Sequence, residues 1–423
     1  FEWVFAGGLV GIGIMGGCFS FLCGESGGVP RRQIDAAKHG FELAFGKSAT
    51  HYGAAPGRIE VLGNHTDYNE GYILSAAIDK FCVIVARRTE DSAGVMVSSE
   101  GRFERVTAQV NDIQKGYDTQ SWANYIKGVL VELQQRGVEL GGFEMYVHSE
   151  VPTGAGVSSS AALEVATAQV VKALGFSPEV FSKLGNLELI KACKDAENNF
   201  VGMGCGILDQ FSSAQGQAGK LVFLDCRDLS FKLVPFPSNA KWVLANTHTP
   251  HALVDGKYNA LRAACERAAD AFKVNDNNIT HLRDVMTTKF EDWKGLLDGD
   301  TARVAKHIVY ENERVLAGVA ALKRGDLPAL GRLLSESHAS SSKDFGNSCD
   351  QLDTMVNLAQ GIPGFLGGRL MGGGFGGCTL NLVQASKAEA FAAELAARYE
   401  RETGIKSQTI IVATGNGATS GRA

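Results

Sequence analysis

Along this chain the spacing of apolar residues alternates between the helical and the strand period. From Arg31 the run RRQIDAAKHGFELAFG sets Ile34, Ala37, Phe41, Ala44 and Phe45 at helical spacing and predicts a helix. Residues 81–87 (FCVIVAR) are apolar and β-branched, the pattern of a buried strand. Residues 122–133 return to the helical period through Tyr125, Val129 and Leu133, and residues 142–148 alternate as a strand. A Gly/Ser loop follows, then a helix whose buried face is Leu163, Ala166, Val170 and Leu174. Residues 218–226 and 242–246 read as strands, 258–271 and 302–323 as long helices, and 379–383 as a strand after a glycine-rich turn. Pro and Ser interrupt the pattern at 235–239, which places a domain boundary between residues 236 and 237. Residues 3–24 carry no charge but are rich in glycine, so residues 1–30 are expected to be a leader outside the fold. Within it, Met15 to Ser20 would match an acylation pattern if Met15 were the start, a short pattern that chance often produces.

Composition narrows the function. At 423 residues the chain should form about two domains, with 45% hydrophobic and 21% charged residues as in ordinary globular proteins. Forty-one Lys and Arg against 46 Asp and Glu give a net charge of -5, which argues against a nucleic-acid partner. The nine cysteines are scattered without a C-x-x-C pair and are expected to be reduced, and the nine histidines show no metal-binding spacing.

Three segments carry chemistry. The first, APGRIEVLGNHTDYNEGYILSAAID over residues 55–79, sets Arg58, His65, Asp67 and Asn69 between strand-like pieces broken by Gly63 and Gly71. Such donors and acceptors suit a polyhydroxylated ligand, although a plain hairpin with polar turn residues has the same pattern. The second, VPTGAGVSSSAA over residues 151–162, turns through Gly154 and Gly156 into a helix opened by Ser158, Ser159 and Ser160. Glycines let a backbone approach an anion, and a helix N-terminus attracts it, though a serine cap after a tight turn looks alike. No Gly-Lys-Ser/Thr follows, so this is not a Walker loop. The third is GGRLMGGGFGGC, residues 367–378, which on glycine content alone would be a hinge.

In their order and separation these segments resemble the GHMP small-molecule kinases, and the first is similar to the galactokinase signature within that family. The resemblance runs from about Arg31 to the C-terminus. It implies an α+β fold of two domains: an N-terminal one like domain 2 of ribosomal protein S5 (residues 31–236) and a ferredoxin-like C-terminal one (237–423). The active site would lie in the cleft between them. GMGCGILDQF, residues 202–211, resembles the family segment with the catalytic Asp, which makes Asp209 the group that accepts or orients the proton of a sugar hydroxyl. Arg58 matches the Arg that faces it. Asn64, His65, Asp67, Gly206 and Tyr258 fall at sugar-binding positions, and Gly154, Gly156, Ser158, Ser159, Ser160 and Trp122 at nucleotide-binding ones. Ser160 and Glu197 match the Mg²⁺ ligands, although Glu197 alone would read as a solvated helix face and Trp122 as a packing anchor.

The implied reaction is ATP-dependent phosphorylation of the anomeric hydroxyl of a hexose, D-galactose first, by a cytoplasmic monomer that uses Mg²⁺ and has no membrane partner. A kinase for galacturonate, N-acetylgalactosamine or arabinose is the alternative. A non-catalytic galactose/ATP sensor is disfavoured, because the Ser160–Ala161 pair that such sensors lack is present. Two positions depart from the signature: Asn64 stands where the family has Glu, and Glu60 where it has Asn. A neutral amide at 64 leads one to expect weaker holding of galactose, with Asn64→Glu restoring it, unless Glu60 compensates.

Overall fold

The computed structural model describes residues 28–249 and 254–423, so the expected leader lies almost wholly outside them. The strands are β1 (His51–Leu62), β2 (Tyr72–Arg88), β3 (Ala93–Ser98), β4 (Val106–Gln109), β5 (Phe143–Ser149), β6 (Lys220–Asp225), β7 (Phe231–Pro235), β8 (Ala240–Asn246), β9 (Phe365–Leu370), β10 (Cys378–Gln384), β11 (Gln408–Val412) and β12 (Thr419–Arg422). They form an eight-stranded sheet in the order β12-β1-β2-β5-β3-β4 and a four-stranded sheet in the order β11-β8-β10-β9. In the larger sheet the long β2 pairs with β5 through its second half and with β6 through its first, and β7 lies outside β6. β12 leaves the C-terminal part of the chain to pair with β1, so the first sheet is closed by the last strand.

The helices are α1 (Arg31–Phe45), α2 (Asn124–Gln135), α3 (Ser159–Ala173), α4 (Pro178–Asp195), α5 (Leu208–Gln215), α6 (Val254–Lys273), α7 (Thr287–Trp293), α8 (Gly299–Lys323), α9 (Leu327–Ser340), α10 (Asp350–Ala359) and α11 (Ala388–Thr403). Strand alternation distributes the core. Leu74, Ala76, Cys82, Ile84 and Ala86 of β2 face the main core, which α2 and α3 complete. Phe81, Val83 and Val85 face the other side, against Ala37 and Phe41 of α1. In the smaller sheet Trp242 and Leu244 join that main core, while Val243 and Ala245 pack on α10 and α11 through Met355, Phe391 and Leu395. The two sheets therefore share one continuous apolar interior. The amphipathic helix expected from Arg31 is α1, the strands expected at 81–87 and 242–246 lie within β2 and β8, and the one expected at 142–148 overlaps β5.

α9 and β9 come unusually close. A Cβ on Gly331 would stand 2.0 Å from the carbonyl oxygen of Leu366, and one on Gly367 would stand 1.9 Å from that of Gly331. The contact fixes β9, which carries Arg369 behind the cavity described below. Gly331→Ala should lower the denaturation midpoint by an overpacking cost of about 1–3 kcal/mol. An unchanged midpoint would mean that helix and strand separate freely.

Candidate active site

The β1–β2 connection is a hairpin and a binding surface at once. Arg58 and Glu60 lie near the turn end of β1, before Leu62, and the turn through His65 and Asp67 carries a short 3-10 segment, Asp67–Asn69. Helix α8, from the C-terminal half of the chain, clamps this turn. Glu311 accepts hydrogen bonds from the backbone N–H of Gly63 (2.9 Å) and Asn64 (3.3 Å), and the Asn312 side chain accepts from Tyr72 N (2.8 Å). Half-buried Arg314 and buried Arg369 lie beside Glu311; burial alone would raise its carboxyl, but the two guanidiniums outweigh that and hold it well below the usual range.

Facing the turn is a cavity of about 230 Å³. The structure brings Arg58, Asn64, His65, Asp67, Glu197, Gly206, Asp209 and Tyr258 to its wall, joined by Glu60, Cys205 and the Gly372–Gly374 loop. Tyr258 arrives on α6 and sets its ring 5.0 Å from that of His65. Gly206 has no room for a side chain: a Cβ there would lie 1.8 Å from Asp67 Oδ2. His65 has both ring nitrogens occupied, Nδ1 by Tyr68 Oη (2.8 Å) and Nε2 by Gly373 O (3.2 Å). The carbonyl can only accept, so Nε2 carries the proton, and burial lowers the ring to about 4, keeping it neutral. Asn64 is likewise committed to the protein. Its Nδ2 donates to Glu60 Oε1 (3.0 Å) and Gly372 O (2.7 Å), and its Oδ1 accepts from Asn347 Nδ2 (2.8 Å).

Asp209 sits in the first turn of α5, where the helix dipole favours its charge. Arg58 Nε donates to its Oδ1 at 2.7 Å, and the Ser158 hydroxyl donates to its Oδ2. The same guanidinium donates through Nη1 to Gly156 O, tying the glycine loop to the pair. Gly154 and Gly156 both need the left-handed backbone (φ 69° and 70°) to turn from β5 into α3. No acid lies in the first turn of α3, leaving its free N–H groups to an anion.

A second cavity of about 580 Å³ opens on the far side of that helix start. Ser159, Ser160 and Trp122 line it, together with Ser98, Phe103 and Lys115, which no motif had marked. Trp122 is both wall and anchor: its Nε1 donates to Glu104 O (3.2 Å), and its ring stacks 5.7 Å from Phe103. The two cavities meet where Ser160, from the larger, lies beside Glu197, from the smaller. Glu197 is buried rather than solvated because the chain follows α4 with a π-helical turn, Ala196–Val201, that rotates it inward. A second π turn, Ser341–Phe345, sets Phe345 4.6 Å from the His65 ring.

Acid groups dominate the smaller cavity. Burial first, then Asp209 and Glu60, raise Asp67 to about 7; burial and Asp209 raise Glu197 to about 7, against donors from Cys205, Gln210 and Ser160. Such a cavity accepts hydrogen bonds from hydroxyls and attracts cations.

The model of the galactokinase galactose-binding signature matches residues 39–88, that of the GHMP kinases N terminal domain residues 124–217, and that of the GHMP kinases C terminal residues 319–401. The chain is 38% identical over 385 residues to a galactokinase of Chloroflexus aggregans, covering 90% of this chain and 95% of that one. It is 39% identical over 383 residues to a galactokinase of Chloroflexus aurantiacus, with the same coverage of 90% and 95%. The structure of Lactococcus lactis galactokinase complexed with galactose is similar with a TM-score of 0.85 and 33% identity, covering 91% of this chain and 99% of that one. Mevalonate kinase of Methanococcus jannaschii, at 18% identity and a TM-score of 0.57 over 86% of this chain and 98% of its own, shares the fold.

The raised Asp67 has a measurable consequence. Folded, it keeps its proton to about pH 7, whereas unfolded it loses it near 3.8. Its contribution to stability is thus complete below the unfolded value and is lost as pH rises through about 7. Asp67→Asn should melt above the unliganded wild type, by a margin that widens from about pH 4 to about pH 7 and then stays level. A margin independent of pH would show that the carboxylate is not buried as a charge.

Proposed function

The chain belongs to the galactokinase family of the GHMP kinases, and on that premise we propose that it transfers the γ-phosphoryl group of ATP to the anomeric hydroxyl of D-galactose. ADP and galactose 1-phosphate are the products. The observation that carries this reading is the junction of the two cavities, with the Arg58–Asp209 pair on one side and Ser160 with Glu197 on the other. A phosphoryl group bound over the start of α3 would lie between a nucleotide in the larger cavity and a sugar in the smaller.

Asp209, held at both oxygens, orients the attacking hydroxyl and receives its proton, while Arg58 offsets charge on the transferring group. Transition states of this kind are loose, so positioning and charge neutralisation carry most of the catalysis. Asp67, Gly206 and Tyr258 hold the sugar, with His65 and Asn64 shaping the wall behind it. Gly154, Gly156, Ser158 and Ser159 shape the phosphate loop, and Trp122 flanks the base. The oxygen donors of Ser160 and Glu197 suit Mg²⁺. Among the described residues no group of three or more His, Cys, Asp or Glu could hold a metal by itself. The ion would therefore take its other ligands from phosphate and water, as Mg²⁺ commonly does.

The acid groups of Glu60, Asp67, Glu197 and Asp209 oppose a uronic acid, whose own charge would meet a wall rich in carboxyl oxygens. We further place the domain division between residues 236 and 237, with β12 crossing back, and assign the protein to the cytoplasm as a monomer. The seven described cysteines are free, which supports a reducing compartment. Among the described residues no helix is long and apolar enough to cross a membrane.

An ADP-release assay over free sugars tests the reading: galactose should lead, with galacturonate inert, and turnover of galacturonate above galactose would overturn it. Asp209→Asn should lower kcat by about 10²-fold or more with ATP affinity little changed; near wild-type kcat would remove Asp209 from the reaction. Gly156→Val should weaken ATP binding, because its left-handed backbone excludes a branched side chain. Ser160→Ala should lower activity in a way that added Mg²⁺ partly restores. Unchanged ATP affinity in Gly156→Val would place the nucleotide elsewhere.

A further inference from the structure

Resting on that reading, we propose that Glu60 reads a hydroxyl of the bound sugar with its free carboxylate oxygen, and that Asn64 acts only to position it. Residue 60 points from β1 into the smaller cavity and is 4% exposed, while Asn64 beside it is 1% exposed. Hydrogen-bond inventory separates their roles. The Asn64 amide has two donors, given to Glu60 Oε1 and Gly372 O, and its oxygen accepts from Asn347 Nδ2 at 2.8 Å and Ser341 Oγ at 3.4 Å. Both of its N–H groups and both acceptor sites are therefore in use.

Glu60 is different. Its Oε1 receives Asn64 Nδ2 at 3.0 Å and lies 3.1 Å from Arg369 Nη2, whose residue is 0% exposed. Its Oε2 has no hydrogen-bond partner among the described residues, yet it is not among the buried side-chain oxygens that lack one. In a residue this buried, the surface left to that oxygen opens into the cavity it lines. Arg369 and Asn64 thus hold one oxygen and aim the other. A carboxylate fixed in this way accepts more strongly than a neutral amide would, and a site built around a hydroxyl penalises the analogue that lacks it.

The same geometry reverses the expectation for residue 64. Asn64→Glu alone would set a second carboxylate against Glu60 and against Gly372 O, where an amide N–H now donates. It should therefore weaken galactose use. The transposed pair, Glu60→Asn with Asn64→Glu, re-forms one carboxylate and one amide and should recover activity relative to that single variant.

The test measures kcat and KM for galactose and for its 2-, 3-, 4- and 6-deoxy analogues in the wild type, Glu60→Gln and Glu60→Asp. Glu60→Asp keeps the charge opposite Arg369, so a loss shared by both variants does not come from an unpaired guanidinium. Both should lower kcat/KM for galactose by about tenfold or more, mainly through KM, and should leave KM for ATP unchanged. For one deoxy sugar the wild type should already show the penalty, and the variants should add almost nothing to it, the signature of a direct contact. An equal loss on every sugar, or an unchanged value for galactose, would overturn the assignment of Glu60 while leaving the kinase intact. A wild type that turns over neither galactose nor any analogue would instead overturn the reading of function on which the assignment rests.

Discussion

Four carboxylates share one small cavity in this protein, and most of the surrounding architecture serves to make that tolerable. Glu60, Asp67, Glu197 and Asp209 all line a space of about 230 Å³. Two guanidiniums answer them: Arg58 pairs with Asp209 at 2.7 Å, and Arg369 lies 3.1 Å from Glu60. Neither arginine is free to leave, since Arg58 is 4% exposed and Arg369 fully buried. Removing one partner of such a pair typically costs about 3–5 kcal/mol, because the other charge is left buried and alone. Asp67 and Glu197 have no such partner, and both are pushed up to about 7. The cavity is thus built with acceptors in excess, awaiting hydroxyl donors and a cation.

One of these two counter-charges comes from the other half of the chain. Arg369 belongs to β9 in the smaller sheet, whereas Glu60 belongs to β1 in the larger. Glu311 of α8 lies beside Arg369 and holds the turn at Gly63 and Asn64 by its backbone. His307, one helical turn earlier, contacts Asn64 O at 3.2 Å and is kept neutral by burial, at about 3. The two halves of the chain therefore complete one another's electrostatics, and the continuous apolar core between the sheets fixes their spacing. The close approach of α9 to β9 through Gly331 and Gly367 belongs to the same device, since it sets where Arg369 can reach.

Much of this was legible in the chain, but unevenly. Strand and helix periods located β2, β5, β8, α1 and the long α8, because each presents a regular apolar face. Local motifs singled out Arg58, Asp67, Gly206 and Asp209, and all four line the smaller cavity. Glu197 gave no local sign of burial; only the π turn rotates it inward, and a run such as KDAENN does not announce one. Glu311, His307 and Arg369 were unread for a related reason: a charged residue within a helical or strand pattern looks solvated until the partner domain covers it. Asn64 and Glu60 were seen as departures from the signature, but their mutual hydrogen bond required coordinates. The bond from the Ser158 hydroxyl to Asp209 was likewise not visible in the sequence.

The most direct measurement is the position of the new phosphate. Wild-type protein incubated with ATP, Mg²⁺ and D-galactose can be followed by phosphorus NMR with proton coupling. The account requires ADP and a sugar phosphate whose phosphorus couples to the anomeric proton, formed in equal amounts. Phosphate on the C6 oxygen would contradict it, as would ADP and inorganic phosphate with galactose unchanged. Either result would mean that Asp209 and Arg58 do not face the anomeric hydroxyl.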